Sequence, residues 1–448
     1  MTYTAAIDEL NAMVPELFTR PGQPRRKFSL EEIGVLLGAL GNPQSRFPSV
    51  LIAGTNGKGS TAATLASILD QSGVRAGLYT SPHLERPNER IRVGRVEISD
   101  EAFARRYFMV HDTAQQLVLA GRLSQLPSFF ETLTAMAFLH FAEAGVEIAV
   151  LEVGMGGRLD ATNIVHPLLS IVTDISLDHT EWLGSTIAAI TREKAGILRR
   201  GGTLVTLPQH PDANQVLGEV ATALDVRGVS ATAYMPPIGI AAGDSYEVEV
   251  LGAPIVVESP LTGAHQHRNV ALAVAAAAEL AEHHGFPVTP ASIAAGIHRT
   301  SWPGRLEHIR IGAAEWILDV AHNPAGAWAL RAGLRGVGDS DRAPMTLIFS
   351  CLRDKPLAEM AQILFPLFDQ VIFAPIHSAR AAAMADLVAA AAATGTKAVA
   401  AESVAEALRL AKQRAGGGVV VVSGSVYLVG DARSLIMAQS IENKGVIL

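Results

Sequence analysis

Residues 49–60 read SVLIAGTNGKGS. The apolar run Val50–Ala53 breaks at Gly54-Thr55-Asn56-Gly57-Lys58-Gly59-Ser60, the pattern of a buried strand that turns through glycines into a helix N-terminus. Gly54, Gly57 and Gly59 let backbone N–H groups approach phosphate oxygens, Lys58 adds a point charge, and the helix near Ser60 adds its positive dipole end. A polyphosphate is the implied ligand, with ATP the first to propose. The spacing is not the common G-x-x-x-x-G-K-[ST], because Gly59 follows Lys58 where a hydroxyl usually meets Mg²⁺. A hydroxyl for the metal must come from Ser60, Thr61 or a segment such as Thr80-Ser81. The plainer reading is an ordinary Gly-rich strand–helix turn, and the flanking strand, helix and lysine weigh against it.

Outward from this turn, apolar β-branched runs alternate with helical patterns. Strands are expected at Val50–Ala53, Ala76–Thr80, Ile148–Val153, Leu169–Thr173 and Leu204–Leu207, and helices near Thr61–Gln71, Ser99–Ala120, Ser128–Ala144 and Thr186–Arg199. This is the rhythm of a parallel sheet. Tyr246–Val250 and Pro254–Val257 around Gly252 read as an antiparallel hairpin, followed by an Ala-rich helix, Asn269–His283. Beyond Trp302-Pro303-Gly304-Arg305 a second series begins, with strands near Trp316–Val320, Thr346–Phe349, Val371–Ala374 and Val419–Val422 and helices near Ala325–Leu334, Leu357–Leu367, Met384–Ala393 and Val404–Arg414. The fold class is α/β: a P-loop-containing parallel-sheet ATPase domain, residues 1–300, then a smaller Rossmann-like α/β domain, residues 301–448.

Composition narrows the partners. A chain of 448 residues exceeds what one core usually supports. A net charge of -7 offers no cationic field for nucleic acid or an anionic membrane, so a small-molecule substrate is expected. The single cysteine, Cys351, excludes a disulfide framework. The N-terminus MTYTAAIDEL lacks a signal-peptide pattern, and no uncharged apolar run approaches the roughly 20 residues of a membrane span. A cytoplasmic location is expected.

A second constellation lies at the ends of the later strands. Ile148–Asp160, IAVLEVGMGGRLD, places Glu152 at a strand terminus, where ligands of open parallel sheets gather. Gly154-Met155-Gly156 does not open a dinucleotide fingerprint, since Leu159 stands where the third glycine belongs. Asp178 and His179 follow the next strand, and Lys194 lies in the helix after it. A carboxylate, an imidazole and a lysine near a P-loop suit a Mg–ATP site. Each alone reads more plainly as an ordinary ion pair or a solvated side chain.

Several long motifs, in order, resemble the folylpolyglutamate synthases, a branch of the Mur ligases whose bacterial members are often also dihydrofolate synthases. They are GTNGKGS at 54–60, TSPHL at 80–84, ERI at 89–91, Phe130-Glu131, LEVGMGGRLDATN at 151–163, LDHTEWLG at 177–184, EKAGI at 193–197, HQHRN at 265–269, WPGRLE at 302–307, LDVAHNP at 318–324 and GSVYLVG at 424–430. The resemblance implies an ATP-dependent amide ligase: ATP phosphorylates a substrate carboxylate, and the amine of L-glutamate attacks the acyl phosphate.

Carried over by motif, Gly57, Lys58, Gly59 and Ser60 bind the ATP phosphates, and Asn269, Arg305 and Asp319 contact the nucleotide. Ser81, Glu152, His179 and Lys194 correspond to the Mg²⁺ shell, Lys194 standing where relatives are carbamylated. Lys58, Glu152, His179 and Lys194 are the expected catalytic set. Ser128, Phe129, Phe130 and Glu131, with Leu159, Asp160 and Ala161, match the segments holding the pterin-bearing substrate, one of the two phenylalanines being expected in the core. The loop 82–92 is expected beside that substrate, and His322-Asn323-Pro324 is expected to open a helix facing the cleft. L-Glutamate with tetrahydrofolate or dihydropteroate are the implied substrates, and a monomer is expected. Pro127-Ser128-Phe129-Phe130 departs from the more usual threonine-aromatic pattern, which bears on the dihydropteroate activity. The rivals are a cell-wall Mur ligase, whose extra nucleotide-sugar domain does not fit in the 53 residues before Gly54, and an ATPase indifferent to folates.

Overall fold

The structure, a computed structural model, describes residues 2–13, 29–241, 243–311, 314–335 and 344–444. In the N-terminal half, β1 (Ser49–Ala53), β2 (Ala76–Tyr79), β3 (Ile91–Val93), β4 (Val96–Glu97), β5 (Ile148–Glu152), β6 (Leu169–Val172), β7 (Thr203–Thr206) and β8 (Arg227–Ser230) form one sheet in the order β4-β3-β2-β5-β1-β6-β7-β8. All pairings are parallel except those of β3 with β2 and β4. β1 is buried along its whole length, so its residues alternate between two cores. Val50 and Ile52 pack with Leu65, Ile68 and Leu69 of the helix Lys58–Gln71, while Leu51 and Ala53 face Leu133, Phe138 and Phe141 of the helix Phe129–Ala144. The layers thus carry helices on both faces.

The chain leaves β1 toward β2 and returns through β5, then crosses to β6 on the other side. Such a reversal opens a crevice at the carboxyl ends of β5, β1 and β6. The hairpin β9 (Tyr246–Val250) and β10 (Ala253–Val257) pairs antiparallel, with Leu251 and Gly252 at φ 52° and 74°, the twisted turn a two-residue hairpin favours. Its inward residues cap the core of the helix Ala264–His284.

The C-terminal sheet holds β11 (Glu307–Ile311), β12 (Ala314–Leu318), β13 (Met345–Phe349), β14 (Gln370–Phe373), β15 (Ala398–Ala400) and β16 (Val419–Ser423) in the order β11-β12-β16-β13-β14-β15, parallel but for β11. Here too strand residues alternate: Leu347 and Phe349 pack with the helix Leu357–Leu364, and Ile348 and Val422 with the helices Val404–Ala415 and Val426–Lys444.

Two expectations need correction. The helix expected over Thr186–Arg199 runs only Ile187–Ala195, because Gly196 ends it against Arg158, whose Cα lies 2.6 Å from where a Cβ would stand. The Ala-rich helix begins at Ala264, not Asn269, so Asn269 lies in its second turn instead of at its start.

Candidate functional site: a nucleotide cleft joined to an apolar cavity

The glycine turn after β1 is strapped to the end of β6. The Thr55 and Asn56 amides donate to the Asp174 carbonyl at 2.8 and 3.2 Å, Thr55 Oγ1 to the Ser176 carbonyl at 3.1 Å, and Thr173 Oγ1 to the Asn56 carbonyl at 2.8 Å. Gly54, at φ 150°, lies so close to Thr173 that a Cβ would stand 1.8 Å from its Oγ1. Gly57 caps the helix Lys58–Gln71 in the left-handed region at φ 89°, where a Cβ would stand 2.1 Å from Asn269 Oδ1. Asn269 is fixed by donating its Nδ2 to Gln266 Oε1 at 2.8 Å. The first-turn amides of that helix have no intrahelical carbonyl to meet, and they open on a cavity of about 550 Å³. Gly57, Lys58, Gly59, Ser60, Ser81, Glu152, His179, Lys194, Asn269, Arg305 and Asp319 all line it. Every residue expected to hold nucleotide or metal therefore meets at one crevice, drawn from both halves of the chain.

Its charges are concentrated and poorly solvated. Lys58 Nζ and Lys194 Nζ converge on the Gly54 carbonyl at 3.2 and 2.7 Å, and Lys58 also stands 4.0 Å from Glu152. Lys194, 4% exposed, has its pKa brought down to about 7 by burial first and by the Lys58 charge next. Glu152, also buried, accepts the Ser81 amide at 3.1 Å, and burial raises its pKa against the opposing pull of Lys58. His179 sits at φ 50°, and burial, against the pull of Asp178 and reinforced by Lys355, Lys194 and Lys58, lowers its pKa to about 4, so it is a neutral donor or ligand at neutral pH.

From the C-terminal half, Asp319 accepts the Leu306 and Ala321 amides, both at 2.9 Å, one on each oxygen. Those bonds fix the segment that carries Arg305. Trp302 packs where a Cβ of Gly59 would stand, within 2.9 Å. His322 lines the cavity, and Asn323 caps the helix Pro324–Gly333 through the Gly326 amide at 2.8 Å while turning its Nδ2 toward Asn56 Oδ1 at 3.0 Å. The expected cleft-facing helix start is thus in place.

A second cavity of about 360 Å³ adjoins the first, sharing Ser81, Gly154, His179 and His322. Phe130, Glu131, Leu159, Asp160 and Ala161 line it together with Lys355, Arg380, Ser425 and Tyr427 from the other half. Ser128 and Phe129 are not among the residues lining it. Ser128 Oγ accepts the Glu131 amide as a helix cap, and the Phe129 ring lies under the Arg90 guanidinium at 5.1 Å. Phe130 does both jobs expected of the pair, walling the cavity while packing on Tyr79 at 5.8 Å and against Gly154. Asp160 accepts the Met155 and Thr162 amides, both at 3.0 Å, so its carboxylate shapes the loop. Lys355, absent from the expected set, is buried and pairs with Asp178 at 2.7 Å. The signal for it was its place just after β13, at the carboxyl edge of the second sheet.

Two family models match, the Mur ligase middle domain over residues 52–277 and the Mur ligase glutamate ligase domain over 304–426. The "Dihydrofolate synthase/folylpolyglutamate synthase" of Bacillus subtilis is 32% identical across 89% of this chain and 92% of its own. The chain belongs to the folylpolyglutamate synthase family of Mur ligases. As a Mur ligase it is an ATP-dependent ligase. The folylpolyglutamate synthase of Mycobacterium tuberculosis, solved with ADP and AMPPCP, superposes with a TM-score of 0.83 at 34% identity over 91% of this chain and 95% of that one. E. coli FolC, solved with DHPP and ADP, gives 0.83 at 28% identity over 98% and 99%. Among the described residues no helix is long and apolar enough to cross a membrane.

Proposed function

We propose that this folylpolyglutamate synthase family member adds L-glutamate to folates at the expense of ATP, accepting both tetrahydrofolate and dihydropteroate and acting as a monomer. The observation that carries the proposal is the junction of the two cavities: a polar, cation-lined cleft of nucleotide size opens beside an apolar one walled by Phe130, and Ser81 and His179 border both. A pterin-bearing acid in the second cavity would present its carboxylate to a γ-phosphate in the first. That is the arrangement an acyl phosphate requires, because the reacting groups must approach in line.

The first-turn amides and Lys58 would neutralise the phosphates, with Arg305 closing from the other half. The carboxylate oxygen attacks the γ-phosphorus and ADP leaves; the glutamate amine then attacks the acyl carbon, and phosphate departs from the tetrahedral intermediate with loss of an amine proton. Mg²⁺, when bound, would screen the negative charge of the phosphates. The residues fit it: Glu152 is a buried carboxylate facing the cavity, Ser81 offers a hydroxyl, and neutral His179 offers a lone pair. An ammonium does not bind a dication, so Lys194 would join the shell only once its amine has lost its proton and added CO₂ as a carbamate, a step its lowered pKa favours.

The test is ADP release with Mg–ATP and L-glutamate, comparing tetrahydrofolate, dihydropteroate and no acceptor, with products weighed by mass spectrometry. Glutamate addition to both acceptors is expected. Addition to tetrahydrofolate alone restricts the enzyme to polyglutamylation, and turnover indifferent to both acceptors rejects the proposal.

A further inference from the structure

Asp178 immediately precedes His179 and is the point at which the C-terminal half grips the His179 turn. Its Oδ1 accepts the His179 amide at 2.9 Å and Lys355 Nζ at 2.7 Å, and its Oδ2 accepts Asn323 Nδ2 at 3.1 Å. Lys355 and Asn323 both belong to the C-terminal half, the first from the loop after β13 and the second from the cap of the helix Pro324–Gly333. Asn323 cannot turn its amide over without losing a bond, since its Oδ1 is held by the Gly326 amide. Both cross-domain donors are nearly buried, with Lys355 only 5% exposed at its side chain. Asn323 Nδ2 also reaches Asn56 Oδ1 in the phosphate-binding turn. His179 itself stands at φ 50°, a left-handed conformation that a non-glycine residue keeps only where its surroundings hold it.

These contacts leave the His179 turn dependent on groups delivered by the other half of the chain. We infer that Asp178 is a positioning residue, which sets the His179 turn when Lys355 and Asn323 dock on it and so couples seating of the C-terminal domain to assembly of the nucleotide site. The inference rests on the ligase reading for its consequence, not for its geometry. With the domains apart, Asp178 has neither donor, and the turn keeps only its local bonds and the Thr55–Ser176 link. Hydrolysis of ATP before the second domain arrives would thereby be suppressed.

The experiment compares Asp178→Asn, Lys355→Met, Lys355→Arg and the Asp178→Asn/Lys355→Met double variant in the full chain. Each of the first two should lower kcat by about 10- to 100-fold, as loss of a group that orients a catalytic side chain does, with KM for ATP changed by less than about threefold. The double variant should fall no more than about threefold below the worse single, because both remove one link. Lys355→Arg, which keeps the charge, should recover most of kcat. Hydrogen exchange gives a readout free of activity: the amides of residues 176–184 should exchange about tenfold faster in Lys355→Met, with the strands unchanged. Losses that multiply in the double variant, a rise in KM for glutamate at constant kcat, or unchanged exchange in residues 176–184 would overturn the inference. If the wild-type chain ligates no glutamate, the ligase reading fails, while the exchange result still decides the coupling.

Discussion

Lys58 and Glu152 show how little of this site is redundant. Lys58 is the cation whose ammonium reaches the turn carbonyls, and Glu152 is the carboxylate at the end of β5. Lys58→Ala and Glu152→Ala should each cut ligation by about 10²–10³-fold or more, since a preorganised charge aimed at phosphoryl transfer is worth that much. Circular dichroism should be unchanged for both; full activity in either would falsify the site. A different expectation concerns pH. His83 accepts the Arg90 Nε–H at 2.9 Å on its Nδ1, and burial first, then the Arg90 charge, lowers its pKa to about 3. His140, half-buried, falls to about 4 through desolvation first and then the Arg106 and Arg105 charges. Unfolded, both take up protons near their ordinary value of 6.5, so the unfolded chain binds more protons between about 4 and 6.5. Their contribution to stability is therefore complete above about 6.5 and falls as pH drops through that window. Thermal melting followed from pH 7 to 4 should show the decline, with a shallower slope in His140→Gln. A flat profile would contradict these environments.

At the scale of elements, the phosphate turn works because β1, β6 and the helices Lys58–Gln71 and Ala264–His284 crowd the backbone at Gly54 and Gly57. Gly54→Ala would drive a methyl into Thr173, and Thr173 cannot retreat without releasing the Asn56 carbonyl. A loss of about 1–3 kcal/mol in stability and of measurable AMPPCP affinity is expected, by thermal melting and calorimetric titration. Gly57→Ala should spare stability more but still weaken nucleotide binding, since Asn269 would be displaced from the cleft. Much of this was readable from the chain. Fully buried strands such as β1 and β5 announce themselves by unbroken apolar runs, and the glycines mark where backbones crowd. What escaped was the sheet edges: β3 and β4 are short and charged, and β8, Arg227–Ser230, is mostly exposed, so none carries an apolar signature. The motif that matches Ser128 and Phe129 to the substrate segment also encodes a capping box, Ser128 with Glu131, which the structure forms, while neither residue lines the second cavity. Lys355 and Asp178 form a site pair only through tertiary approach of residues 177 positions apart, which no local pattern reveals.

Over the whole molecule, tight contacts among the described residues join the two halves, and these must form for Asp319 and Gly57 to border one cavity. Besides the Asp178 junction, the helix Val426–Lys444 lies against the loop 82–92. Arg433 bridges Glu85 at 2.5 Å and Glu307 at 2.9 Å, and Ser434 Oγ donates to Glu85 at 2.8 Å. Gly430 is buried at this junction, and a Cβ there would stand 1.9 Å from the Leu84 carbonyl oxygen. Because the obstacle is backbone, it cannot rotate away; Gly430→Ala must shift the helix or the loop by about 1 Å, a misplacement that costs catalysis about 10²-fold when reacting groups are held from both sides. Neither the first-turn amides nor Lys58 belongs to the displaced half, so AMPPCP should still bind, more weakly for want of Arg305. Small-angle scattering with AMPPCP and a folate should show the wild-type chain compacting and the Gly430→Ala chain remaining open, at similar melting temperatures. A variant that compacts and ligates as the wild type does would show that this contact is incidental and that the domains close on other surfaces.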